Sequence, residues 1–148
     1  MSPTTYLCAF LAAGMMIVGA TADSVTDKIK AESAKYVDRG QKHDIDGMLE
    51  LYTDDMVLMP QGHGTVTQGK PYAKTHMAWV NHVRSITMDT KEVAPLNSCS
   101  GDNYVFQRSE TVAINDKDVV IFKGKNLIIW KKVGDSYKIY THMYNMDQ

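Results

Sequence analysis

The chain has 148 residues, a formal net charge of −1 and only two cysteines, Cys8 and Cys99. That length suits one domain with a core of its own. The near balance of 16 basic and 17 acidic residues, without a basic block or Arg-rich stripe, excludes an electrostatic footprint for nucleic acid and strong attraction to anionic membranes.

In chain order, the first segment reads as a targeting signal. Residues 6–20, YLCAFLAAGMMIVGA, form an apolar run without a charge, and Ala20-Thr21-Ala22 supplies the small-x-small pattern that signal peptidase accepts. The run is shorter than the roughly 20 residues a membrane span needs. It also lacks the Lys or Arg usual at its start, and an uncleaved anchor is the rival reading. We read residues 1–22 as a secretory signal peptide and residues 23–148 as a secreted, extracellular domain. Cys8 leaves with the signal, and Cys99 alone cannot build a disulfide scaffold. It reads as a buried or part-buried thiol, with an intermolecular disulfide as the alternative. No Asn-x-Ser/Thr acceptor is present.

Residues 23–42 predict a first helix. Val25, Ile29, Tyr36 and Val37 fall on or near one face, polar Ser33 interrupts the stripe, and Asp23 or Ser24 can cap the start. DIDGMLELY predicts a short second helix, with Asp44 or Asp46 as cap and Ile45, Met48, Leu49 and Tyr52 inward. Residues 56–60, MVLMP, predict a strand. Asp54 and Asp55 before it read as turn residues that satisfy backbone donors rather than as a catalytic pair. Gly62, Gly64 and Gly69 punctuate a turn and a short strand around TVTQ. A third helix begins near Lys70, with Pro71 in its first turn, and runs through YAKTHMAWVNHV with Ala73, His76, Met77 and Val80 on one side. Four strand-like runs follow, at about 86–94, 103–114, 118–132 and 136–146. Helices in front and an antiparallel meander behind give an α+β domain.

The order of elements resembles that of the nuclear-transport-factor-2-like superfamily. KYVDRGQKHDIDGMLELYTDDMVLMPQGHGTVTQGK resembles the opening of its SnoaL-like and ketosteroid-isomerase-like branch, and LIIWKKVGDSYKIYTHMYN resembles its last hairpin. The resemblance covers residues 23–148. It implies a cone-shaped, cystatin-like roll with three N-terminal helices packed on a strongly curved antiparallel sheet, a pocket for a small molecule, and a homodimer through the outer sheet face. It specifies the fold better than the activity, since such proteins include isomerases, cyclases, hydrolases, dehydratases and proteins that only bind.

A ketosteroid isomerase needs a carboxylate base and acidic donors for the developing enolate oxygen. By the resemblance, Tyr36 stands near the oxyanion tyrosine. The base position, immediately before the proline of the first strand, holds Met59, which cannot take a proton; Asn126 stands near the second acid and can only donate as an amide. The usual isomerase mechanism therefore lacks its central group. His76 on the third helix is a substitute acid or base, paired with Tyr36, and His63 lies at the rim in Gly-His-Gly. A polar core role for His76 and a solvated loop role for His63 compete with those readings.

If even positions of 104–114 face inward, Tyr104, Phe106, Arg108 and Glu110 join Met59, His63 and Met77 in lining the pocket, opposite Phe122, Asn126, Ile128 and Trp130. In the last strand Tyr137, Ile139, Thr141 and Met143 form one face and Tyr140, His142 and Tyr144 the other, and which lines the pocket stays open. The five histidines lack any metal-binding spacing, so no metal or cofactor is expected. Three functions remain: a secreted binder of a small apolar or amphipathic molecule, a SnoaL-like isomerase, cyclase or dehydratase using His76 with Tyr36, and a dimeric interaction module with a vestigial pocket.

Overall fold

A computed structural model describes residues 25–63, 67–96 and 102–147. Residues 1–22, read above as a signal, the Asp23/Ser24 cap, Cys99 and the first two residues of the TVTQ strand lie outside the described residues. Helix α1 covers described residues 25–41; Val25, Ile29, Ser33, Tyr36 and Gly40 recur every three or four positions and are buried together. Its end is marked by His43, whose backbone turns into the left-handed region at φ 59°. The His43 ring is tied to the Val83 carbonyl oxygen at 2.6 Å. Helix α2, Ile45–Glu50, is capped by Asp44, whose carboxylate accepts from the Gly47 N–H at 2.8 Å.

Tyr52 does not end this helix but opens strand β1, Tyr52–Pro60. The two aspartates therefore stand inside a strand, not in a turn. Both are exposed and each pairs with a lysine: Asp54 with Lys70 at 2.7 Å and Asp55 with Lys131 at 3.3 Å. The Asp54 carboxyl pKa is lowered chiefly by Lys70, and that of Asp55 chiefly by a hydrogen bond from Thr53, with Lys131 adding to it. Strand β2 is the pair Thr67–Gln68. Helix α3, Lys70–His76, has Pro71 in its first turn and tightens into a 3-10 segment, Met77–His82, before the chain enters the sheet. Strands β3 (Val83–Pro95), β4 (Tyr104–Asn115), β5 (Val120–Val133) and β6 (Ser136–Met146) form three successive antiparallel pairs.

The strand order is β2-β1-β6-β5-β4-β3. Two expectations for this sheet are corrected. It is mixed, not antiparallel, because β1 pairs in parallel with β6; the long connection between them through α3 and three hairpins imposes no reversal. It is also not strongly curled into a cone. Its inner face is filled instead by large side chains, among them Tyr52, Met56, Ile128, Trp130 and Ile139, each almost wholly buried.

Gly124 in β5 lies where the end of β6 crosses closest. A Cβ there would run into the Asn145 carbonyl oxygen, a backbone atom with no side-chain freedom to retreat. Gly124→Ala is expected to cost about 2 kcal/mol or more in chemical denaturation, from overpacking against backbone; a loss under 0.5 kcal/mol would contradict this register.

Candidate active or binding site

Between α1, the 3-10 segment and the inner sheet face lies a small cavity of about 30 Å³, room for roughly one or two waters. Its walls are mainly apolar: Leu58, Met77, Trp79, Ile86, Met88 and Phe122. Trp79 stacks on Phe122 with ring centres 5.8 Å apart. The polar end is a run of buried side chains contributed by five elements. Asn126 Nδ2 donates to Thr111 Oγ1 at 2.8 Å, and Asn126 Oδ1 faces His142 Nε2 at 3.2 Å. His142 Nδ1 meets the Tyr52 hydroxyl at 2.8 Å, and the Tyr36 ring stands edge-on to both, with centroids 6.3 Å from Tyr52 and 6.0 Å from His142. Tyr36, Tyr52, Thr111, Asn126 and His142 all line the cavity.

No charge sits in this run. Burial holds the His142 imidazole down at about 4, so it is neutral near pH 7. The same burial pushes the Tyr36 phenol up to about 12 and Tyr52 well above its ordinary value. At the half-exposed α3 side, His76 lines the cavity and meets two rings edge-on or tilted: His63 and Tyr72, each with centroids 4.4 Å away. Burial, then the neighbouring His63, lowers the His76 pKa, which favours its neutral form.

The structure gathers some predicted site residues and disperses others. Tyr36, His76, Met77, Phe122 and Asn126 line the cavity, and His63 reaches its mouth through His76. Ile128 and Trp130 point inward but are packed in the core. The Trp130 indole donates to Gln107 Oε1 at 2.9 Å, and Gln107 Nε2 donates to Thr90 Oγ1 at 2.9 Å. Met59 lies beside Met143 across the β1–β6 pair and lines no part of the cavity; the inward side chain there is Leu58, equally unable to accept a proton.

Tyr104, Phe106, Arg108 and Glu110 are corrected to the outer face. Arg108 pairs with Glu92 at 2.7 Å and Glu110 with Lys91 at 3.3 Å, both as exposed surface pairs. The β4 alternation is unbroken: Val105, Gln107, Ser109, Thr111 and Ala113 are buried in turn, and the apolar Phe106, Val112 and Ile114 that suggested an even-numbered inner face are only half-buried on the outer one. Ile114 pairs with Val120, but Ala113 pairs with Phe122, so Ile121 bulges and the even positions of β5 beyond it turn onto the inner face. Buried Gln107, Ser109 and Thr111 take the inward places. A second bulge, where Ile129 pairs with Thr141 but Trp130 with Ile139, switches β6. Tyr137 and Ile139 are inward before it, His142 and Tyr144 after it. Thus the sequence reading missed Thr111 and left His142 and Tyr144 undecided.

No protein-family model matches the sequence, and no curated protein matches it. Solved structures do. A proposed scytalone dehydratase from Novosphingobium aromaticivorans superposes with a TM-score of 0.65 at 11% identity, over 83% of this chain and 84% of the other. A ketosteroid isomerase-like protein from Erwinia carotovora atroseptica gives 0.65 at 22% identity, over 82% and 95%. A protein of unknown function from Shewanella oneidensis gives 0.65 at 15% identity, over 80% and 97%. The fold is nuclear-transport-factor-2-like. As many as 423 solved chains are similar to this one, so the nuclear-transport-factor-2-like architecture by itself selects no activity. Among the described residues no group of three or more His, Cys, Asp and Glu gathers as a metal site, and no helix is long and apolar enough to cross a membrane.

His142 makes stability pH-dependent. Its pKa is depressed on folding from 6.5 to about 4, so the unfolded chain binds the proton more readily. The stabilisation is complete above pH 6.5 and is lost as pH falls toward 4. Between pH 7 and pH 5 the domain is expected to lose about 2 kcal/mol from this group. His142→Gln should flatten that slope by nearly one proton in urea titrations; an unchanged slope would place the sensitivity elsewhere.

Proposed function

We propose that the domain binds a small, largely apolar molecule in the enclosed pocket, with the molecule's polar group meeting the Tyr36–Tyr52–His142–Asn126 run. The composition of the cavity carries this reading: aromatic and aliphatic walls, a single uncharged polar end, and no carboxylate among the lining residues. Ligand pockets commonly combine apolar walls with few placed polar groups. At about 30 Å³ the cavity is far below the roughly 300 Å³ of such pockets, so a ligand enters by displacing wall side chains. Met77 and Met88 suit that role because unbranched thioethers repack at low cost.

A second reading is supported by His76. A neutral imidazole opens on the same cavity as the Tyr36 phenol, and the structural neighbours include proteins described as dehydratase and isomerase-like. In that reading His76 moves a proton on the bound molecule while Tyr36 engages its oxygen. The segment at residues 1–22 supports export, with the mature domain acting outside the cell.

The partner we propose is a second copy of the chain. Val57, Met59, Phe106, Leu127, Ile129 and Met143 stand on the outer sheet face across four neighbouring strands, and Leu127 is 37% exposed. Paired charges of both signs rim it, including Arg108–Glu92 and Lys131–Asp55, so the face can meet itself across a two-fold axis.

Native mass spectrometry of the protein from its own source is expected to show one small molecule per protomer. Trp79→Ala should lose it; a ligand retained in that variant would move the site elsewhere. If the enzyme reading holds, His76→Ala abolishes turnover of that molecule while binding changes less than about tenfold. Leu127→Arg is expected to convert a dimer to a monomer in light scattering, whereas a monomeric parent protein at 100 μM (roughly the scale at which weak pairs form) would refute the dimer.

A further inference from the structure

Among the described residues, one wholly buried side-chain nitrogen or oxygen has no hydrogen-bond partner: the Ser109 hydroxyl. A buried donor left unmatched costs stability that an incoming acceptor recovers. The neighbours of Ser109 are engaged elsewhere. Asn126, opposite it in the β4–β5 pair, donates its amide to Thr111 and turns its oxygen to His142. Thr90, opposite it on β3, accepts from Gln107. Over the hydroxyl lies Met88. Its backbone is level with Thr111, while its sulfur lies 3.8 Å from Gln107 Nε2. Thr111 and Gln107 flank Ser109 on the inner face of β4, so the thioether crosses above Ser109.

Met88 is also a shared wall. With Ile86 it lines both the enclosed cavity and an open groove of about 660 Å³ between α1 and β3. Half-buried and unbranched, it can swing toward the groove at low cost. That movement joins cavity to groove and uncovers Ser109 beside Asn126 and Thr111, which line the cavity already. We infer that Ser109 holds the ligand's polar atom, reached from the α1–β3 groove when Met88 swings aside, and that the ligand is a neutral apolar molecule carrying a hydrogen-bond acceptor. The inference rests on the pocket reading above and supplies the anchoring residue and the head group. The Ser109 proton is unspent, so an acceptor gains it. No Lys or Arg lines the cavity, so a carboxylate would enter without a counter-charge.

The test titrates the intact domain with three probes of similar shape, benzonitrile, toluene and benzoate, followed by tryptophan fluorescence. Benzonitrile is expected to bind roughly tenfold more tightly than toluene, and benzoate more weakly than either. The nitrile stretch of bound benzonitrile should move to the frequency of a hydrogen-bonded nitrile in infrared difference spectra. Ser109→Ala removes an unmatched buried hydroxyl and so keeps the fold. It should erase both the preference for benzonitrile and the infrared shift, and leave toluene binding unchanged. Met88→Ala should speed association of both neutral probes in stopped flow and keep the preference between them. Equal affinity for benzonitrile and toluene, a preference that survives Ser109→Ala, benzoate binding best, or association rates unmoved by Met88→Ala would overturn the inference. Saturable binding of no probe would overturn the pocket reading, and the inference with it.

Discussion

Between Ala113 and Ile114 the β4–β5 ladder takes in one additional β5 residue, Ile121, and the bulge decides which face of β5 the interior receives. Val120 is exposed where it pairs with the half-buried Ile114; continued without that bulge, this register would carry the even β5 positions, Asn126, Ile128 and Trp130 among them, onto the outer face. With the bulge those residues meet the buried odd positions of β4, Gln107, Ser109 and Thr111, while Arg108 and Glu110 find partners at the surface. The interior becomes polar without becoming charged.

An uncharged polar interior must close its own hydrogen bonds, and the two inward clusters show how it does so. Gln107 joins Trp130 and Thr90 into a rigid knot that fixes β4 against β5 and β3. Asn126, one ladder step along the same face, begins the run that passes through His142 and Tyr52 to Tyr36. The first cluster borders an open surface groove through Ser33 and Thr90, but its donors and acceptors are spent on one another. The second lines the enclosed, apolar-walled cavity.

Much of the framework was legible in the sequence. The 3.6-residue stripe of α1, the Asp44 cap and the four late strands all follow from local periodicity and turn chemistry. The inward positions of β5 were also readable, since Phe122, Asn126, Ile128 and Trp130 alternate. What local pattern could not carry was pairing across strands. A bulge leaves no dependable mark in composition, so the switch within β6 was hidden. The face of β4 was misread because its apolar Phe106, Val112 and Ile114 lie on the outer side, while polar Gln107, Ser109 and Thr111 are buried. Nor does a sequence pattern announce a buried Thr or His as part of a relay, because polar residues at alternate positions ordinarily mean a solvated face. Asp54 and Asp55 show the converse: residues typical of turns stand exposed within strand β1, each paired with a lysine.

The account turns on the state of one imidazole. If His142 is neutral with its proton on Nε2, the polar end of the pocket is uncharged, with Nε2 donating to Asn126 Oδ1 and Nδ1 accepting from the Tyr52 hydroxyl. Nitrogen-15 NMR of the histidine rings reports both properties directly, with His142→Gln assigning the resonance. The predicted result is the Nε2–H tautomer, unchanged from pH 8 to pH 5. A ring protonated on Nδ1 alone, or one that titrates near its ordinary value of 6.5, would contradict the account.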